Sequence, residues 1–211
     1  MKIFKEVSLA DSLSVLNALF GFTALVYSIY DYERSFAFFY FALISDGLDG
    51  WIAKKTEKSK IGKELDSLAD CVSFSVYPAF IVSLKNPNLF AFSSLLLAFS
   101  ILRLARFNIL DLNDFLGIPT SVNAILVTSL LRINASQEIL AFAMFTFSFL
   151  MICDLRYKRV RGLPLIFLGL LLVLAIFIVE ICYLLIAISI LYAIYPGVCV
   201  CGKYLRRLRR V

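Results

Sequence analysis

Long apolar stretches separated by short polar segments run through nearly all of the chain. A helix needs about 20 such residues to cross the hydrocarbon core of a bilayer, and these stretches approach that length. The pattern predicts an all-α polytopic membrane bundle of about eight transmembrane helices, over residues 13–30, 36–54, 66–84, 88–109, 118–133, 137–153, 163–179 and 181–200. Only Glu180 interrupts the last apolar run, so a single kinked helix there is the alternative.

The N-terminal segment differs from the spans because polar and apolar residues alternate around Lys2 and Lys5. This pattern predicts a short amphipathic helix over residues 1–12, lying on the membrane surface. Further along the chain there is no long linker and no second soluble domain. We therefore expect a single membrane domain over residues 1–211.

Composition and charge support a membrane protein and orient it. Hydrophobic residues make up 61% of the chain, which is outside the range of soluble domains. With eight spans, all but three of the 21 Lys and Arg residues fall on one side; the exceptions are Arg34, Lys85 and Arg132. Because cytoplasmic loops carry the excess of basic residues, both termini are predicted to be cytoplasmic. The net charge of +6 is then explained by this topology and by attraction of the basic side to anionic lipid headgroups. No nucleic-acid partner is expected.

Four aspartates interrupt this apolar pattern, in the segment "SDGLDGWIAKKTEKSKIGKELDSLAD" (residues 45–70). Asp46 and Asp49 are three residues apart at the end of the second span, and Asp66 and Asp70 are four apart at the start of the third. Each pair projects from one helix face. At 1.5 Å per residue, all four lie about 6 to 12 Å below the cytoplasmic end of their helix. We expect the four carboxylates to converge beneath the cytoplasmic headgroups.

Such a cluster needs cations, because each intramembrane carboxylate is costly. The chain has no histidine, and oxygen ligands alone suit hard divalent ions such as Mg²⁺, Mn²⁺ or Ca²⁺. Two ions fit four carboxylates and would support displacement at phosphorus. The alternatives are ion pairs with lysines at the helix ends and a cation pathway. Gly47, Gly50 and Gly62 favour the phosphate chemistry, since glycine lets a phosphate approach the backbone closely.

The same segment resembles the signature of the CDP-alcohol phosphatidyltransferases, membrane enzymes that move a phosphatidyl group from a CDP-linked lipid to an alcohol and release CMP. The matching pattern is Asp-x-x-Asp-Gly-x-x-Ala, a basic loop, and Gly-x-x-x-Asp-x-x-x-Asp, formed by Asp46, Asp49, Gly50, Ala53, Gly62, Asp66 and Asp70. The resemblance implies that Asp46, Asp49 and Asp66 bind a metal pair, Mg²⁺ or Mn²⁺, shared with Asp70. It also implies that Asp70 is the catalytic general base.

The resemblance further implies that the pyrophosphate and nucleotide lie near Gly50, Ala53 and Gly62. The family usually has arginine after the alanine, where this chain has Lys54. Lysine keeps the positive charge but lacks the bidentate fork of arginine. Lys54 is still expected to bind the pyrophosphate.

A polar stripe in the first span is a second candidate for nucleotide binding. Asp11, Ser14 and Asn17 are three residues apart and resemble an Asn-x-x-Thr-x-x-Asn stripe that faces the cytidine in the family, although the first two members differ. The alternative is a polar helix N-terminus capped by Ser8 or Asp11.

Three segments are similar to the branch of the family that uses serine as acceptor: "GKELDSLADCVSFSVYPA" (62–79), "RLARFN" (103–108) and "FLGIPTS" (115–121). The resemblance thus spans residues 46–121. Arg103 and Arg106 are three apart on one helical face and could hold the serine carboxylate, with Asn108 adding an amide. The alternative is that both arginines only mark the cytoplasmic side.

These observations predict transfer from CDP-diacylglycerol, or a CDP-archaeol-type ether lipid, to L-serine. The site would face the cytoplasm in an integral protein of the cell membrane, and the family resemblance implies a homodimer. A sister enzyme acting on glycerol phosphate or inositol phosphate is one alternative. A divalent-cation transporter is an alternative of a different class.

Overall fold

The computed structural model describes residues 8–52, 61–109, 115–158, 160 and 162–208. Within these residues the chain forms eight helices: α1 Leu9–Tyr30, α2 Tyr32–Ile52, α3 Gly62–Lys85, α4 Pro87–Ile109, α5 Thr120–Arg132, α6 Gln137–Ile152, α7 Leu163–Phe177 and α8 Ile181–Leu208. Helix α3 contains a π-helical turn over Cys71–Val76, and α4 begins with a 3₁₀ turn over Pro87–Leu89. Two short strands, β1 Phe115–Leu116 and β2 Arg156–Tyr157, form an antiparallel ribbon.

Each predicted apolar segment coincides with one of these helices, and most ends differ by four residues or fewer. The last run forms two helices, because α7 ends at Phe177 and α8 begins at Ile181 with Glu180 in the turn between them. The predicted surface helix over residues 1–12 lies mostly outside the described residues. Its last residues, from Leu9 onward, form the first turn of α1, and the remainder stays a prediction.

The distribution of apolar side chains is that of a helical membrane protein. Within the described ranges, three helices, α1, α3 and α4, are long and apolar enough to cross a bilayer by themselves. The shorter apolar helices found there are Gln137–Ile152, Leu163–Phe177 and Ile181–Pro196. Large apolar side chains also cover the outside, for example Phe142 at 73% exposed and Phe177 at 80%. Apolar surface of this extent is unusual for a soluble monomer. The number of crossings and their orientation stay predictions.

Helix α5 lies in the interior and is buried along nearly its whole length. At its C-terminal end, Arg132 donates hydrogen bonds to Glu33 of α2, at 3.1 Å, and to the carbonyl oxygen of Ala175 near the end of α7. A second α7 carbonyl, that of Ile176, lies 3.4 Å from Arg132. Cations favour helix C-termini, where carbonyl groups lack helical partners. Arg132 therefore joins α2, α5 and α7 at the end of the bundle opposite the aspartates.

The ribbon fixes the segment that leads into α5. Phe115 pairs with Tyr157, and the N–H of Gly117 donates to the carbonyl oxygen of Leu155 at 2.9 Å. Gly117 has a φ of +73°, and a Cβ atom there would lie 1.9 Å from the carbonyl oxygen of Met151. Only glycine fits this combination of backbone conformation and close approach. The motif "FLGIPTS" is therefore the joint between the ribbon and α5.

We expect Gly117→Ala to destabilise the protein, because alanine would meet both the left-handed backbone conformation and the Met151 carbonyl. The two effects together should cost more than about 2 kcal/mol. The apparent melting temperature of the purified protein in detergent should fall by several degrees. Gly169→Ala is the control, since nothing lies within 4 Å of its added Cβ and alanine favours a helix over glycine, so it should melt at or above the wild-type temperature. An unchanged melting temperature for Gly117→Ala would contradict this reading of the joint.

Candidate active site

Carboxylates from α2 and α3 converge where the sequence predicts. Asp46, Asp49 and Asp66 each place one carboxylate oxygen so that the three atoms lie within 4.8 Å of one another. The fourth carboxylate, that of Asp70, lies close enough to Asp46 for the two side chains to interact directly. The three- and four-residue spacings on two neighbouring helices thus produce the expected cluster.

Asp70 lies at a break in helical regularity. The α-helical first part of α3 ends at Asp70, and the π-helical turn Cys71–Val76 follows immediately. Single π turns inside α-helices are frequent at functional sites. Ser73 in this turn donates a hydrogen bond to the carbonyl oxygen of Asn17 at 2.9 Å, and a Cβ atom on Gly21 would lie only 2.8 Å from the Ser73 Cα atom. Gly21 therefore allows α1 to approach α3 closely beside Asp70.

The polar stripe of α1 faces these aspartates and is buried. Ser14 donates a hydrogen bond to Oδ2 of Asp49 at 2.7 Å, and Nδ2 of Asn17 donates to Oδ1 of Asp70 at 3.2 Å. The stripe thus donates hydrogen bonds to two of the carboxylates, a contact that was not predicted from the sequence. The available signal was the polar stripe itself, because Ser14 and Asn17 are three residues apart and share one face of an otherwise apolar helix.

Asp11, the third member of the stripe, forms a capping box with Ser8 at the start of α1. The Ser8 N–H donates to Oδ2 of Asp11 at 2.7 Å, and the Asp11 N–H donates to Oγ of Ser8 at 3.2 Å. The capping alternative is therefore what the structure shows for this residue. A cavity described below has none of Asp11, Ser14 and Asn17 in its wall, so nucleotide binding by the stripe stays a prediction.

A cavity of about 660 Å³ lies next to the carboxylates. One part of its wall is polar and includes all four aspartates and Gly50. The rest is mainly apolar and comes from α2, α5 and α7, with Ile44, Ile125, Leu165, Ile166 and Leu172. Such a wall suits a ligand with one charged end and one apolar end.

The two candidate arginines of α4 have different surroundings. Arg103 is 4% exposed and lines the cavity. Its guanidinium carbon lies beside the neighbouring rings of Phe107 and Phe115, at 5.5 and 5.1 Å from their centroids. Arg106 instead forms an ion pair with Asp154. It also donates to a main-chain carbonyl at the end of α6. Of the two, only Arg103 contributes to the wall of the cavity.

Asn108 lies behind the cavity wall. Its Oδ1 atom accepts a hydrogen bond from Ser67 at 2.6 Å, and its carbonyl oxygen accepts one from Lys63 at 3.0 Å. Ser67 lines the cavity, whereas Asn108 does not. Asn108 therefore attaches the end of α4 to α3, and direct contact with an acceptor stays a prediction.

The remaining signature residues are only partly described. Gly62 is the first residue of α3 and is not part of the cavity wall. Ala53 and Lys54 lie outside the described residues, so their predicted contacts with pyrophosphate are not tested.

The chemistry of the cluster fits a hard divalent cation. Its donors are all carboxylate oxygens, and Asp49 is only 6% exposed. The ion pairs among the described residues involve Arg34, Arg106 and Arg132, and none of them reaches the cluster. Carboxylates that lie this close together repel one another, and a divalent metal ion would supply compensating positive charge.

Comparison with known proteins gives a consistent result. The sequence model of the CDP-alcohol phosphatidyltransferase family matches residues 7–195. The CDP-diacylglycerol–serine O-phosphatidyltransferase of Methanocaldococcus jannaschii is 32% identical, over 97% of this chain and 98% of the relative. The archaetidylserine synthase of Methanothermobacter thermautotrophicus is 36% identical, over 77% and 74% of the two chains. A CDP-diacylglycerol–serine O-phosphatidyltransferase of Helicobacter pylori is 45% identical over 41% of this chain and 40% of the relative.

Proposed function

Because the chain belongs to the CDP-alcohol phosphatidyltransferase family, we propose that it transfers the phosphatidyl group of a CDP-linked lipid to the hydroxyl of L-serine and releases CMP. One observation carries this proposal: the carboxylate cluster, the buried Arg103 and an apolar surface line the same cavity. The names of the two relatives that cover most of the chain support serine as the acceptor. The apolar surface can take ester-linked or ether-linked chains, as in CDP-diacylglycerol or a CDP-archaeol-type lipid.

Asp46, Asp49 and Asp66, together with Asp70, would hold two divalent ions, Mg²⁺ or Mn²⁺. When bound, these ions would neutralise the carboxylates and stabilise the negative charge on the phosphate oxygens. Ser14 and Asn17 would keep Asp49 and Asp70 in fixed orientations, because each donates a hydrogen bond to one oxygen of its carboxylate.

Asp70 is proposed as the general base. It would accept the proton of the serine hydroxyl as the serine oxygen attacks the β-phosphorus of the CDP-lipid. The bond from this phosphorus to the bridging oxygen breaks, and CMP leaves with that oxygen. Lys54, which follows Ala53 in the signature, would bind the pyrophosphate.

Arg103 would hold the carboxylate of the serine. Its guanidinium is buried at the cavity wall, and two aromatic rings fix its position. A buried, always charged group with several N–H donors is well suited to a carboxylate. We further propose a multi-pass protein of the cell membrane. The excess of basic residues on one side supports an active site that faces the cytoplasm. We also propose that the protein acts as a homodimer.

Ser14→Ala should weaken metal binding, because it removes the 2.7 Å hydrogen bond to Asp49 without changing a ligand. Loss of such a supporting contact typically costs about 10- to 100-fold in metal affinity. The affinity is measured by titrating the purified protein with Mn²⁺ and following free Mn²⁺ by electron paramagnetic resonance, without substrates. Ser14→Thr retains the hydroxyl and should bind Mn²⁺ like the wild type. Equal affinities for the alanine variant and the wild type would show that Ser14 does not support the site.

The function itself is tested with purified protein, CDP-diacylglycerol and a panel of alcohols. We expect CMP release with L-serine and much less with glycerol phosphate or inositol phosphate. Release only with a phosphorylated alcohol would identify a sister enzyme. No CMP with any acceptor, but Mn²⁺ flux into proteoliposomes, would support a transporter.

A further inference from the structure

The N-terminus of α5 opens onto the cavity without a cap. Helix α5 begins at Thr120, and the preceding Pro119 has extended backbone (φ −61°, ψ 143°) and offers no capping side chain. Within the described part of the chain, no acceptor contacts the N–H groups of Thr120, Ser121 or Val122. All four of these residues line the cavity. Unpaired N–H groups at a helix N-terminus carry a partial positive charge and bind anions.

A second, independent feature of the same cavity also requires an anion. The Nε atom of Arg103 is buried and has no hydrogen-bond partner among the described residues. Asp46, Asp66 and Asp70 act on its charge from a distance, but none of them lies within 4.0 Å to form a salt bridge with it. A buried guanidinium without a direct partner is costly unless a ligand binds it.

We propose that the N-terminus of α5 and Arg103 together form the binding site for the acceptor's carboxylate. This proposal rests on the proposed function and adds the main-chain N–H groups of Thr120 and its neighbours as a specificity element. The site provides one full positive charge and about half a charge from the helix. That matches a carboxylate, with one negative charge, better than a phosphate monoester with two. The site would thus favour a hydroxy acid such as serine over a phosphorylated alcohol.

The arrangement also explains how the acceptor is oriented. The carboxylate would be held at the α5 side of the cavity, whereas Asp70 lines the same cavity from α3. A serine anchored at its carboxylate can therefore direct its hydroxyl toward the general base. The ribbon and Gly117 fix the start of α5, and so they fix the position of the carboxylate.

Thr120→Pro tests the main-chain contact. Proline is favoured at the first position of a helix, and the extended Pro119 is compatible with a following proline, so the variant deletes an N–H group without breaking α5. The KM for L-serine should rise about 10- to 100-fold, while the KM for the CDP-lipid stays unchanged. The KM for serinol, which lacks the carboxylate, should change little in this variant.

Gln137→Pro is the matched control, because Gln137 is the first residue of α6 and follows Ser136, whose backbone is also extended (ψ 153°). Its serine kinetics should match the wild type. If Thr120→Pro does not fold, Ser121→Asp replaces it. An acid in the first turn favours the helix but repels a carboxylate, so the KM for L-serine should rise more than that for serinol.

The outcomes separate this proposal from the function on which it rests. If the wild type forms the serine product but Thr120→Pro, or Ser121→Asp in its place, keeps a normal KM for L-serine, the α5 site is wrong and the function stands. An equal increase in the KM for serinol and for L-serine would also overturn the α5 site. If the wild type uses no hydroxy acid at all, the proposed function and this site both fail.

Discussion

Asp66→Asn should reduce the rate of CMP release by about a thousandfold or more. The Asp66 carboxylate shares a 4.8 Å cluster with Asp46 and Asp49, so asparagine removes one negative charge and one strong ligand from the proposed metal site. The stabilisation that a metal pair gives to phosphoryl transfer is several kcal/mol, and each 1.4 kcal/mol corresponds to about a tenfold change in rate. The rate is measured as CMP formed from CDP-diacylglycerol and L-serine at saturating Mg²⁺.

Asp31→Asn is the control for this experiment, since it makes the same chemical change at an exposed residue whose ion pair with Arg34 contributes little. It should retain wild-type turnover. Wild-type protein treated with EDTA should be as inactive as Asp66→Asn and should recover with Mg²⁺ or Mn²⁺. Near wild-type turnover by Asp66→Asn, or full activity after exhaustive chelation, would contradict the role of the cluster in metal binding.

Arg103→Ala should raise the KM for L-serine by about tenfold to a few hundredfold. The expected loss is a charged hydrogen-bonded contact worth roughly 1.5 to 3 kcal/mol. Because the guanidinium is buried against the cavity and is not needed to hold the lipid chains, the KM for CDP-diacylglycerol should change little. Steady-state kinetics with each substrate varied in turn measure both constants.

Arg106→Ala provides the comparison, because the same residue type three positions away forms an ion pair with Asp154 outside the cavity wall. It should keep wild-type serine kinetics. Serinol should be a poor acceptor for the wild type, and its KM should rise little further in Arg103→Ala. Normal serine kinetics in a folded Arg103→Ala variant would place the carboxylate elsewhere. A loss confined to CDP-lipid affinity would assign Arg103 to the donor site.

The aspartate cluster could be predicted from the sequence because its information is local. The three- and four-residue spacings place each pair on one helix face, and the short connection between α2 and α3 keeps the two pairs near the same end of the bundle. The eight helices could be predicted for the same reason, since the length of an apolar segment depends only on consecutive residues of the chain. The break at Glu180 follows from a single charged residue in an apolar run.

The surroundings of the cluster depend on packing, which spacing alone does not determine. Arg103 and Arg106 are equivalent in spacing, but Arg103 contacts two phenylalanine rings at the cavity and Arg106 pairs with Asp154. The difference depends on where α6 ends and on the ribbon that positions Phe115. Likewise, the hydrogen bond from Ser14 to Asp49 depends on the close approach of α1, which Gly21 permits.

L-serine labelled with ¹⁸O in its hydroxyl group shows whether the serine hydroxyl attacks the β-phosphorus of the CDP-lipid. After reaction with CDP-diacylglycerol, mass spectrometry of both products locates the label. Attack by the hydroxyl predicts ¹⁸O in the phosphodiester of phosphatidylserine and unlabelled CMP. A labelled CMP, or a serine-containing lipid without ¹⁸O, would contradict the mechanism.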